Sequence, residues 1–247
     1  MKWRGIHMSH TIKSLCKSLR LAYIADRYEQ IPFTNLEQYL QDLFQEEVDL
    51  REVAKGERLI KSAKFVSEKE LSHYQWNDHI RFPSQIDRTA LESLHFIERK
   101  ENVILTGCPG TGKSHLATAL GRKACRNGYR VRFYRVADLV EQLEKSWKEG
   151  RFQAFRHKFS KLDMIILDEM GYVPFNKEGA ELLFQLISDW YEQCSLVITS
   201  NLEFSQWNRI FIDPRLTAAL VDRVIHHAHI LSFTGDSYRV RNALSNQ

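Results

Sequence analysis

The chain has 247 residues, 43% hydrophobic and 27% charged, with a formal net charge of +4. That is enough apolar residue to fill a core, which excludes a disordered chain, and the mild basic balance permits a nucleic-acid partner without requiring one. No apolar run approaches a membrane span, Lys13, Lys17 and Arg20 interrupt any signal-peptide core, and Cys16, Cys108, Cys125 and Cys194 form no CxxC pair, so the expectation is a cytoplasmic protein with reduced thiols and no membrane partner.

Residues 9–30 read as one amphipathic helix, with Ile12, Leu15, Leu19 and Tyr23 at helical spacing and Lys13, Lys17, Arg20 and Arg27 off that seam. Met8 offers an alternative start to Met1. Pro32 ends the helix, because its ring cannot continue the hydrogen-bond ladder. Asn35 can cap a second, longer helix with Leu36, Tyr39, Leu40, Leu43 and Phe44 as its buried stripe. Glu47–Arg51 and Glu57–Lys61 are i,i+4 pairs on its far side. Residues 1–64 are thus expected as a small helical domain, and residues 65–85, which mix aromatics with polar residues and Pro83, as a connector.

From residue 86 to 247 the pattern changes. Five short apolar runs recur between helical stretches: Val103–Leu105, Val131–Tyr134, Met164–Leu167, Leu196–Ile198 and His229–Leu231. Strands without polar alternation are buried on both faces, which predicts an α/β fold with a parallel five-stranded sheet between helices.

The first run leads into Gly107-Cys108-Pro109-Gly110-Thr111-Gly112-Lys113-Ser114-His115. Two glycines four apart, then Lys and Ser, between a strand and a helix, form a phosphate-binding loop. The glycines let successive N–H groups turn inward on phosphate oxygens, and the helix terminus adds partial positive charge. Lys113 is positioned to reach the β- and γ-phosphates of ATP, and the Ser114 hydroxyl to ligate Mg²⁺. The third run ends in Asp168-Glu169. Asp168 can hold Mg²⁺ through water, and Glu169 can polarise an attacking water, a group that most phosphate-loop kinases do not need. The fourth run delivers Asn201 at its carboxyl end, where ligands bind in open α/β sheets; an Asn there is also an ordinary turn residue. Arg223, late in a helix starting near Pro214, can serve as a finger for a neighbouring subunit or simply pair with Asp222. His226, His227 and His229 do not predict a metal site, since adjacent helical histidines face different ways and no acidic or cysteine ligand stands near them in sequence.

Phosphate loop, acidic strand end, Asn-tipped strand and an Asp-Arg pair before the last strand, in that order, resemble the AAA+ ATPases. The stretches GCPGTGKSHLATALG, GYRVRF, ADLV, IILDEMGYVPFNKEGAELLFQLI, ITSNLEFSQW, LVDRVIHHAH and SYRVR, with LRLAYIADRY near the amino terminus, are most similar to the IstB/DnaC branch, above all to the IstB-like helper ATPases of bacterial insertion sequences. The resemblance implies an ATP-dependent oligomer on double-stranded DNA that regulates or targets the element's transposase; a replicative helicase loader of the DnaC type is the alternative. It also implies an extra helical insertion, here at about 137–161, and no full carboxy-terminal lid, with Arg239 as a candidate for the lid's arginine role. The insertion is basic, through Lys145, Lys148, Arg151, Arg156, Lys158 and Lys161, with Trp147, Phe152 and Phe155 interleaved. Such a surface suits a DNA groove, or else an amphipathic helix pair with aromatics in the core and cations in water.

Overall fold

The computed structural model describes residues 11–172, 175–211 and 213–238. Met1, Met8 and Arg239 lie outside these. The chain divides into two compact units, 1–57 and 58–247.

The first unit holds α1 (Ile12–Leu19), α2 (Ala22–Arg27) and most of α3 (Leu36–Ala63). The single helix expected over 9–30 is broken, because Arg20 sits at φ 58° and ends α1. The break turns the chain, so the buried positions become Cys16 and Ile24, packed with Leu43. Ile12, Leu15 and Leu19, expected as the buried seam, are exposed, and so are Leu36, Leu40 and Phe44 of α3. So small a unit has one contact face, and an apolar period longer than that face cannot all be covered. Glu47, read as a solvent-side partner of Arg51, is buried. Its Oε2 accepts the Ile24 N–H at 2.8 Å while its Oε1 pairs with Arg51 Nε at 2.7 Å. Leu21 has no capping side chain for α2, and Glu47 satisfies one of that helix's orphan donors instead.

The second unit is a six-stranded sheet in the order β1-β6-β2-β5-β4-β3. Its strands are β1 (Ile80–Arg81), β2 (Asn102–Gly107), β3 (Val131–Arg135), β4 (Met164–Met170), β5 (Ser195–Ser200) and β6 (Ala228–Phe233). The five expected strands are parallel, with Val103 in register with Val197 on one side and His229 on the other. The sixth, β1, lies antiparallel on β6, making the sheet mixed. Two residues carry no periodicity to read. The stretch expected as a connector therefore has structure of its own, and Tyr74 and Ile80 belong to this unit's core.

Alternate strand residues face opposite layers, as the pleat requires. Val103, Leu105, Ile166 and Val197 pack under α4 (Arg88–Ser93), α5 (His95–Glu98) and α6 (Lys113–Arg126). Ile104, Ile165, Leu167 and Ile198 pack under α7 (Val136–Lys148), α8 (Phe152–Arg156), α9 (Lys177–Trp190), α10 (Asn208–Phe211) and α11 (Pro214–Ile225). The segment 137–161 is thus the β3–β4 crossover: α7 packs on β4 and α9, and α8 follows it. Among the described residues no helix is long and apolar enough to cross a membrane.

Candidate nucleotide site

The strand ends converge on a cavity of about 960 Å³. It is lined by Pro109 to His115 from the loop between β2 and α6, by Asp168 and Glu169 from β4, and by Thr199, Ser200 and Asn201 from β5. The sheet brings these together because β2, β4 and β5 are parallel and end at one level.

The loop's glycines are constrained by contact as well as conformation. Gly107 (φ +134°) has the Phe233 carbonyl 2.1 Å from where a Cβ would stand, and Gly110 (φ +80°) has the Ser237 hydroxyl 2.1 Å away. A side chain at either would drive the loop out of shape. Gly112 (φ +101°) caps α6 without a side chain, leaving its first N–H groups facing the cavity. Lys113 is buried, and its Nζ donates to the carbonyls of Gly107 and Cys108 at 2.6 and 2.7 Å. Cys108 is an exposed free thiol.

At the end of β4 a single hydroxyl ties the two acids. Thr199 Oγ1 donates to Asp168 Oδ1 at 2.6 Å and accepts the Glu169 N–H at 2.9 Å. Asp168 is buried, whereas the Glu169 side chain is exposed in the cavity. Glu169 has φ +64° at a register shift between β4 and β5. A non-glycine residue held there is strained, and such strain clusters at functional sites. Thr199 was missed from sequence; the polar run Thr199-Ser200-Asn201 closing an apolar strand was the available signal.

The far wall was also missed. Ser67, Lys69, His73, Tyr74 and Trp76 line the cavity. Tyr74 meets Trp76 and His115 edge-on, with ring centroids 4.9 and 5.1 Å apart. Burial holds the His115 imidazole below its ordinary pKa. This wall is pinned to α6 by Glu70, which pairs with Arg122 Nε at 2.5 Å and with Arg126 through both carboxylate oxygens. The Arg126 and Arg122 bonds hold the Glu70 carboxyl at about 2. A lowered carboxylate pKa gives stability that is complete above the unfolded value of about 4.3 and lost as pH falls toward the folded one. The urea midpoint gap between wild type and Glu70→Gln should therefore be largest near pH 6, begin to narrow below about pH 4.3, and close only near pH 2. A gap that stays constant across that range would mean the Glu70 pairs do not hold the wall.

Arg223 does not line this cavity. Its Nη1 donates to Ser188 Oγ at 3.0 Å, and its guanidinium lies 4.8 Å from the Phe184 ring centroid. Among the described residues the ion pairs do not include Arg223 with Asp222.

The basic segment divides. Phe152 and Phe155 are buried in the core and not free to stack on bases. Arg156 pairs with Asp189 and lies over Phe152. Lys158 lies 5.0 Å from the centroid of the Phe155 ring. Arg151 pairs with Glu149. Lys145, Lys148, Arg151 and Lys158 are exposed, and so is Trp147.

The model of the family described as IstB-like ATP binding protein matches residues 14–246. Relatives include the insertion sequence IS5376 ATP-binding protein of Geobacillus stearothermophilus, 34% identical over 95% of this chain and 95% of that protein. The insertion sequence IS21 ATP-binding protein of Pseudomonas aeruginosa is 35% identical over 94% and 89%. Among solved structures, AMPPCP-bound DnaA from Aquifex aeolicus superposes with a TM-score of 0.57 at 18% identity, over 74% of this chain and 57% of that one. The DnaC helicase loader gives 0.52 at 21% identity, over 67% and 96%. These structures share the fold.

Proposed function

The chain belongs to the IstB-like ATP-binding protein family of insertion sequences, and from that premise we propose that it is an AAA+ ATPase that assembles on double-stranded DNA and regulates its element's transposase in the cytoplasm. The observation that carries the ATPase reading is the convergence of Lys113, Asp168, Glu169 and Asn201 on one cavity.

The residues present fit ATP and Mg²⁺. The loop has no room for side chains at Gly107 and Gly110, and Lys113 is a buried cation whose Nζ reaches the loop carbonyls of Gly107 and Cys108, where charged phosphate oxygens would bind it more strongly. Ser114 and Asp168 would hold Mg²⁺, which when bound neutralises charge on the phosphate oxygens. Glu169, exposed to the cavity, would orient and polarise the attacking water, and Asn201 would bond the γ-phosphate and that water. The Tyr74–Trp76 wall offers flat apolar surface for the base. Arg223 would act on the nucleotide of a neighbouring subunit.

For DNA, the exposed cations at the end of α7 support contact with phosphates, and the burial of Phe152 and Phe155 argues against base stacking by those rings. Binding should then tolerate any sequence and respond strongly to salt. The helicase-loader alternative shares the cavity; the relatives named for insertion sequences favour transposition.

The test measures DNA affinity with and without ATP across a salt series. Lys113→Ala should lose nucleotide binding and with it ATP-dependent DNA binding. Each phosphate contact contributes about −0.9 to the slope of log affinity against log salt, so replacing Lys145, Lys148 and Arg151 with alanine should flatten that slope by about 3 if each meets one phosphate. An unchanged slope would move the DNA surface off α7. ATP-independent DNA binding would sink the assembly reading.

A further inference from the structure

At the end of the sheet opposite the phosphate loop, where β5 and β6 begin, two turns bring together residues that are far apart in sequence. Tyr191 and Glu192 lie between α9 and β5; His226 and His227 lie between α11 and β6. The histidines converge where the helix ends, with ring centroids 4.1 Å apart. His227 Nε2 stands 3.8 Å from Glu192 Oε1, and one ligand atom from each of Glu192, His226 and His227 lies within 4.8 Å of the others. The objection from sequence, that no acid stands near these histidines, is answered by the fold.

We propose that Glu192, His226 and His227 bind a divalent transition-metal ion of the zinc class, tying the α9–β5 turn to the α11–β6 turn. Two imidazole nitrogens and one carboxylate oxygen form a donor set that zinc accepts, with water in the fourth position. Bonds of about 2.0–2.2 Å would draw the three atoms closer than they now stand, a change within reach of side-chain torsions. The supporting contact is present. The Tyr191 hydroxyl lies 2.8 Å from His226 Nδ1; with Nδ1–H donated to that hydroxyl, Nε2 would be the nitrogen left to ligate the ion, the arrangement metal-bound histidines use. The backbone beneath is fixed. The His227 and Val224 carbonyls accept from Asn102 N and Nδ2 at 2.7 and 2.9 Å, and Asn102 Oδ1 accepts the Leu196 N–H at 2.9 Å. One buried residue, through its backbone N–H and its side chain, thereby joins the start of β2 to β5, to the end of α11 and to the turn before β6. The inference does not depend on the nucleotide reading.

The experiment titrates Co²⁺ into the full-length chain, free of any histidine tag, and follows visible d–d absorption. One Co²⁺ per chain should bind with the intense bands of a tetrahedral site, and Zn²⁺ should displace it. Glu192→Gln and His227→Gln should each weaken binding by more than about 10-fold, and Tyr191→Phe by about 10-fold, the range for loss of an orienting partner. Zn²⁺ should raise the melting temperature of the wild type and not of His226→Gln. Glu192, His226 and His227 are exposed and Tyr191 is half-buried, so circular dichroism should report native folding in every variant; if one fails to fold, Glu192→Gln, the least disruptive, decides. No saturable binding at millimolar Co²⁺, or binding unchanged in Glu192→Gln and His227→Gln, overturns the proposal.

Discussion

Arg223→Ala is expected to cut ATP hydrolysis by about 10³- to 10⁵-fold, the range for a supplied arginine in well-studied nucleotidases, while leaving ATP affinity of the isolated chain intact. The reason is distance. Arg223 lies near the end of α11, just before β6, while the phosphate loop follows the end of β2. These neighbouring strands are parallel, so the two sites stand at opposite ends of a six-residue strand, about 17 Å at 3.3 Å per residue. No arginine side chain spans that gap within one subunit. The side chain is nonetheless held in one orientation, by Ser188 and by the face of Phe184. Activity should consequently rise faster than linearly with protein concentration, and further with DNA. The sharper measurement mixes two inactive proteins. Arg223→Ala keeps its pocket, Lys113→Ala keeps its arginine, and together on DNA they should recover part of the activity neither has alone. If the mixture stays inactive while both variants co-assemble, Arg223 does not act across an interface, and its bonds to Ser188 and Phe184 are its whole role.

What could be read from sequence had short-range causes. Gly107, Gly110 and Gly112 are required by local backbone geometry, and the apolar runs before Gly107, Asp168 and Asn201 are required by burial on two faces. Both leave marks within ten residues. What could not be read depends on long-range closure. The aromatic wall of Tyr74 and Trp76 lines the cavity because Glu70 reaches Arg122 and Arg126 on α6. Glu192 joins His226 and His227 only after β5 and α11 have packed. The amino-terminal seam failed for the opposite reason: the period of Ile12, Leu15 and Leu19 is genuine, but left-handed Arg20 turns the chain away and leaves them exposed.

The second large effect concerns Glu169. Glu169→Gln should lower the rate of hydrolysis by about 10²- to 10⁴-fold, the usual contribution of a positioned general base, and should leave ATP binding near wild type, because Lys113 and the loop amides are untouched. The variant should therefore accumulate ATP-bound assemblies on DNA. Two companion substitutions separate chemistry from positioning. Thr199→Val preserves shape and removes both the bond to Asp168 and the acceptor for the Glu169 N–H. It should slow turnover and raise the Mg²⁺ concentration needed for half-maximal rate, whereas Thr199→Ser should restore both. Glu169→Gly removes the carboxylate and also relieves the left-handed φ of +64°, a strain on the order of 1 kcal/mol or more for a residue with a Cβ. That variant should resist urea better than the wild type while losing hydrolysis by about 10²- to 10⁴-fold, as Glu169→Gln does. Greater stability with lost activity is the mark of strain kept for function. A Glu169→Gly protein less stable than the wild type would show that the strain at Glu169 is smaller than the unfolded-chain entropy a glycine adds. A Glu169→Gln protein turning ATP over near the wild-type rate would remove Glu169 from the chemistry altogether and leave Asp168 as the carboxylate to examine next.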